Sequence, residues 1–182
     1  MSPQRSPAPW EHYKAIAFDV GGTVFDWHGT VGPMVAEALP SVDARAFTND
    51  WRRTMFSLLN DVRAGRLPRI NSDVLHRRAL DHVLPRFPDA FLSLKDRDEL
   101  STAWQQLKAW PDAPAAIEKL RSRYTVVVLT VLSWRSVVES SKAAGIAWDG
   151  VLSCEFLPAY KPERAAYLAA PRLTGCAPHE TI

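Results

Sequence analysis

Two short apolar runs far apart in the chain constrain its fold more than any other feature. The first, KAIAFD at Lys14–Asp19, ends in a carboxylate and is followed by Gly21 and Gly22. A short apolar run closed by turn formers reads as a buried strand that feeds a tight loop. The second, YTVVVLT at Tyr124–Thr130, has the same character. From Pro111 onward helical and strand patterns alternate: a helix over Ala113–Ser122, the Tyr124–Thr130 strand, a helix over Ser136–Ala144 ending at Gly145, a strand over Gly150–Ser153, and a helix over Glu163–Leu173 before Gly175. A further strand begins at the final HETI. This alternation predicts an α/β fold on a parallel sheet.

Between the two runs the periodicity is helical. Phe47, Trp51, Met55, Leu58 and Val62 recur at spacings of three and four, with Ser41 or Asp43 as a cap and Gly65 as a stop. A second helix runs from Ser72, as N-cap, to Leu84 before Pro85, and a third from Asp96 to Trp110 carries Leu100, Trp104 and Leu107 on one face. The expected organisation is an all-helical cap over 31–110, inserted into a core made of 11–30 and 111–182. The residues before Glu11, rich in proline, are expected to form a loosely ordered arm.

Composition narrows the function. The chain has 182 residues, 47% of them hydrophobic, enough for one core and a smaller accessory layer. With Lys+Arg 22 against Asp+Glu 20, the net charge of +2 gives no reason to expect nucleic acid or an anionic membrane as partner, which leaves a small-molecule substrate. The N-terminus lacks an apolar signal core, and no stretch is long enough to span a bilayer. Cys154 and Cys176 have no CxxC spacing, so two buried thiols in a reducing cytoplasm are expected rather than a disulfide or a zinc site. His12, His28, His76, His82 and His179 show no ligand spacing, and no metal or other cofactor is expected.

In open parallel sheets ligands bind at the carboxyl ends of the strands. Asp19 closes the first strand, Thr130 closes the second, and Lys161 lies in the loop beyond Gly150–Ser153. The fold therefore gathers a carboxylate, a hydroxyl and an ammonium. Such a set suits covalent catalysis by a carboxylate that a neighbouring lysine keeps ionised.

At this point the sequence becomes specific. FDVGGTVFD at Phe18–Asp26 resembles the first motif of the haloacid dehalogenase superfamily, VLT at Val128–Thr130 its second, and YKPERAAY at Tyr160–Tyr167 its third. The resemblance runs from Lys14 to Ile182 and is closest to the 2-haloacid dehalogenases. It implies a Rossmann-like core with a helical cap and Asp19 as a nucleophile that forms an ester with the substrate. Superfamily phosphatases carry a second Asp where this chain has Gly21. A glycine supplies no proton to an alkoxide leaving group, whereas halide departs without one. In WRRTM at Trp51–Met55, Arg52 matches the cap arginine that faces the nucleophile and binds carboxylate or halide. Thr23 matches the turn hydroxyl, Thr130 the Ser or Thr of the second motif, and Lys161 and Tyr167 the family lysine and tyrosine.

The chain departs from the dehalogenase pattern at Val131, where Asn is usual, and at Gly21, where an aromatic residue is common and whose replacement implies a roomier pocket. The acidic fourth motif is expected just beyond Ile182, so the sequence reads as ending before it, with ester formation outrunning ester hydrolysis. The expected reaction is conversion of a short 2-haloalkanoic acid to the 2-hydroxy acid, and family analogy allows a homodimer. A Mg²⁺-dependent phosphatase and an inactive binding relative or fragment remain the alternatives. Asp26 is read as a turn or capping residue, and Arg53 as the rival of Arg52 if the helix register shifts by one.

Overall fold

The structure, a computed structural model, describes residues 10–182. Most of the arm expected before Glu11 lies outside them. Strand β1 (Ala15–Phe18) leads into a tight loop and then a two-residue strand, β2 (Phe25–Asp26). In the loop the backbone N–H groups of Val24 and Phe25 both donate to Val20 O. Gly22 has φ +105°, a conformation L side chains rarely adopt, so glycine is required there. The chain then enters helices α1 (Trp27–Ala38), α2 (Ala44–Arg63), α3 (Ser72–Val83) and α4 (Leu94–Ser101). A one-turn 3₁₀ segment, Thr102–Gln105, connects α4 to β3 (Lys108–Ala109).

The remainder is α5 (Ala113–Arg121), β4 (Thr125–Thr130), α6 (Trp134–Ala144), β5 (Gly150–Ser153), α7 (Arg164–Tyr167) and α8 (Ala169–Thr174). β1 pairs with β4 in parallel, Phe18 opposite Val128, and β4 pairs with β5 in parallel, Thr130 opposite Ser153. The chain end continues the sheet on the other side of β1: Thr181 bridges Ala15 in parallel, and Ala17 N donates to Ile182 O at 2.7 Å. The expected α/β architecture is present, and among the described residues no helix is long and apolar enough to cross a membrane.

Four details differ from the sequence reading. The third helix of the insert does not continue to Trp110: β3 pairs antiparallel with β2, so the chain leaves and re-enters the core through a short ribbon. Trp104 and Leu107 are buried as expected, but Trp104 from the 3₁₀ turn and Leu107 from the segment after it, where Leu107 N donates to the Ser140 hydroxyl of α6 instead of to a helical carbonyl. The last helix is split at Leu168 into α7 and α8. Pro171 lies inside α8 and has no N–H to offer an earlier carbonyl, which favours such a break. Asn71, not Ser72, caps α3, its side chain accepting from Val74 N. Helix α2 starts as expected at Asp43, which accepts from Ala46 N, and Asp26 caps α1 by accepting from Gly29 N. Of the two thiols, Cys154 is buried and Cys176 only partly so.

The insert has an aromatic centre. Trp51 and Trp104 are fully buried and meet edge to face at 5.5 Å, and His76, also fully buried, stacks on Trp104 at 3.9 Å. Neither imidazole nitrogen has a hydrogen-bond partner among the described residues, and burial, helped by the nearby Arg52 charge, lowers its pKa from 6.5 to about 3.

A pH dependence follows. The unfolded chain protonates His76 near pH 6.5 and the folded chain only near 3, so its contribution to stability is complete above about 6.5 and is lost as pH falls. The loss approaches about 1.4 kcal/mol per pH unit. Carboxylates held below their ordinary values, such as Asp96 and Asp149, act only at more acidic pH. Between pH 6.5 and 4.5 the urea midpoint therefore falls steeply in the native chain, and the slope flattens in His76→Phe, which keeps the stack on Trp104.

Candidate active site

The loop after β1 presents the Asp19 carboxylate at the carboxyl edge of the sheet. Lys161 Nζ donates to Asp19 Oδ1 at 2.7 Å and to Leu129 O at 3.1 Å, joining the ends of β1 and β4. The exposed Thr23 hydroxyl donates to Asp19 Oδ2 at 3.2 Å, so both carboxylate oxygens are oriented. Thr130 is buried, and its Oγ1 accepts from Leu132 N at 3.1 Å. Asp19, Thr130 and Lys161 line one cavity of about 270 Å³ together with Arg52. Thr23 and Tyr167 lie outside it: Thr23 acts on the far carboxylate oxygen, and Tyr167 is half-exposed with its ring 6.0 Å from Lys161 Nζ.

Helix α2 closes the cavity from the insert side. Arg52 sits over Trp27 at 4.2 Å and near Phe56 at 5.1 Å, and its Nη2 donates to Gly21 O at 3.3 Å. Burial pushes this guanidinium below its ordinary pKa, while the Asp19 charge opposes the shift. Arg53 points the other way: its side chain is 76% exposed and pairs with Asp50. The helix register thus separates two arginines that the sequence placed side by side. A Cβ at Gly21 would lie 3.9 Å from Arg52 Nη2 and 3.8 Å from Leu132 Cδ1, so the missing side chain leaves space beside the guanidinium.

Several residues that serve the site carry little sequence signal. Arg63, three turns beyond Arg52 on nearly the same helix face, also lines the cavity. Arg69, in the α2–α3 loop, donates to Cys154 O at 2.7 Å, Leu157 O at 2.5 Å and Pro158 O at 3.2 Å, and lies over the Tyr160 ring at 4.4 Å. The Tyr160 hydroxyl returns a bond to Ile70 O at 2.7 Å. Together they clasp the insert to the segment that delivers Lys161. Asp73 of α3 accepts from the Ser133 and Ser136 hydroxyls at 2.7 and 3.0 Å, fixing the insert to the turn after β4. Trp110 Nε1 donates to Gly22 O at 3.1 Å, bracing the loop behind Asp19.

The arrangement offers an oriented carboxylate facing a cation-rich cavity with apolar walls. The Gly21 carbonyl accepts from the Arg52 guanidinium.

The model of the haloacid dehalogenase-like hydrolase family matches residues 13–182, and the chain belongs to that family. It is 29% identical over 181 residues to (S)-2-haloacid dehalogenase 4A of Burkholderia cepacia, covering 92% of this chain and 72% of that protein. Its identity to (S)-2-haloacid dehalogenase of Pseudomonas sp. (strain YL) is 28% over 174 residues, covering 91% and 71%. The crystal structure of a defluorinating L-2-haloacid dehalogenase superposes with a TM-score of 0.87 at 30% identity, covering 99% of this chain and 76% of that one.

The Arg69 clasp is testable. Arg69→Met removes the donor from the part-buried Cys154 and Leu157 carbonyl bonds, at a cost on the order of 1–3 kcal/mol. Urea denaturation should register that loss, and amide exchange should rise over 154–161.

Proposed function

We propose that this chain is a 2-haloacid dehalogenase that converts a short 2-haloalkanoic acid to the corresponding 2-hydroxy acid. An Asp19 oxygen attacks C2 from the side opposite the halogen, a C–O bond forms, and halide leaves with the electron pair of the broken C–X bond. Water then attacks the carbonyl carbon of the ester, returning the Asp19 carboxylate and releasing the 2-hydroxy acid and a proton. Attack at C2 inverts that centre, and attack on the ester carbonyl leaves it untouched.

The observation that carries this reading is the placement of Arg52. Its guanidinium holds Gly21 O within the cavity of the Asp19–Lys161 pair, where a phosphatase would need a metal and a general acid. There it can receive the substrate carboxylate or the departing halide. Lys161 and Thr23 orient the two Asp19 oxygens, and Thr130 borders the attack path. Tyr167, outside the cavity, acts through Lys161, whose Nζ lies 6.0 Å from its ring. Residues 31–110 serve as the cap over a core of 11–30 and 111–182. The partner is a small anionic molecule, the expected compartment is the cytoplasm, and family analogy allows a homodimer.

The test is halide release from a panel of short 2-haloacids. Release survives EDTA, disappears in Asp19→Asn, and falls about 10²–10³-fold in Arg52→Gln. Arg53→Gln, an exposed pair partner of Asp50, stays within about twofold. Metal-dependent phosphate release from simple phosphomonoesters, with no halide released, would replace this reading by a phosphatase.

A further inference from the structure

Arg52 carries its charge unpaired. The one carboxylate that lines the cavity with it, Asp19, is held by Lys161, and Arg52 forms no ion pair among the described residues. Its only hydrogen bond among them is the 3.3 Å contact of Nη2 with Gly21 O, long for a charge-assisted bond. One such bond does not offset the rotamer freedom of so long a side chain. What else holds the guanidinium is aromatic: it lies over the Trp27 ring at 4.2 Å and near the Phe56 ring, one turn further along α2, at 5.1 Å.

Trp27 is itself firmly seated. It is the first residue of α1, directly behind the Asp26 cap. Its indole stacks on Trp104, with centroids 5.9 Å apart and planes 14° apart. Trp104 is fully buried and stacks in turn on the fully buried His76, at 3.9 Å and 12°. The pyrrole edge of Trp27 lies against the loop that follows Asp19: a Cβ at Gly22 would stand 3.5 Å from both Cδ1 and Nε1. The ring under the guanidinium is thus anchored through two buried rings and braced by the loop of the carboxylate.

An aromatic support leaves Arg52 usable in a way that a carboxylate partner would not. A paired carboxylate cancels the charge and takes in-plane N–H groups, whereas a ring meets the cation at its π face and leaves the charge and those donors for a ligand. Trp27 does not line the cavity, so its route to a ligand there is through Arg52. Resting on the dehalogenase reading for the reaction, we infer that Trp27 is the positioning residue of Arg52, which it holds toward the substrate carboxylate without neutralising it.

The test measures kcat and KM for halide release from 2-chloropropanoate, and calorimetric binding of propanoate, in the native chain, Trp27→Leu and Trp27→Phe. Trp27→Leu is also made in an Arg52→Gln background. Trp27→Leu raises KM and weakens propanoate binding by about threefold to thirtyfold, the range of one cation–π contact from exposed to desolvated, and changes kcat less than KM. Trp27→Phe, which returns a ring to the position, recovers part of the loss. In the Arg52→Gln background Trp27→Leu lowers kcat/KM by less than about twofold, because the group it positions is gone. An unchanged KM in Trp27→Leu overturns the inference, even if kcat falls through partial unfolding. So does a loss of the same size in the Arg52→Gln background, or one that Trp27→Phe does not relieve. A propanoate affinity that falls in Trp27→Leu and recovers in Trp27→Phe, in a chain that releases no halide, would overturn the dehalogenase reading and leave the role of Trp27 standing.

Discussion

The parallel pairing of β1 with β4 joins two segments that have no local reason to meet, and the site is arranged around that contact. Parallel neighbours cannot be linked by a hairpin, so the chain between them must travel the length of the sheet and return. Here that return journey is the helical insert. Because both strands run the same way, Asp19 and Thr130 emerge at one edge, and Lys161 then bonds Asp19 and Leu129 together. The register is demanding. A slip by one residue would move Asp19 by about 3.3 Å and turn its side chain to the other face.

The electrostatics follow from the same geometry. The edge of the sheet supplies the anion with its counter-charge, and the insert supplies guanidinium groups from one helix. Neither half makes the site alone. The clasps that join them, Arg69 on the Cys154–Pro158 carbonyls and Asp73 on Ser133 and Ser136, therefore hold Arg52 at its place opposite Asp19. They are polar and partly buried, so each is strong only while its partners stay in place.

Legibility in the sequence divides along lines of locality. The apolar runs of β1 and β4, the Asp43 cap and the face of α2 that buries Trp51 and Met55 follow from spacing along the chain. The carboxyl-edge rule extends that to Asp19, Thr130 and Lys161. That Arg52 turns inward and Arg53 outward came from the motif resemblance. The ribbon of Phe25–Asp26 with Lys108–Ala109 was not legible, since two residues carry no periodicity and the pairing is set by Thr30 and Trp110 contacts to distant backbone. Arg69 and Asp73 were missed because their partners lie roughly sixty to ninety positions away. Arg63 alone had a usable signal, its place three turns beyond Arg52 on an amphipathic helix.

The contact of Arg52 with Trp27 has a consequence in optics. The guanidinium lies 4.2 Å from the indole ring, and Trp27 is in turn stacked on Trp104, which meets Trp51 edge to face. Indole emission and near-ultraviolet dichroism respond to charge held close to the ring and to the mutual orientation of neighbouring indoles. Any anion placed beside Arg52 would offset the field on Trp27, and the stacked rings would carry that change in a spectral region free of peptide absorption. Trp27 thus stands as a built-in chromophore for whatever occupies the arginine end of the cavity, with no label needed.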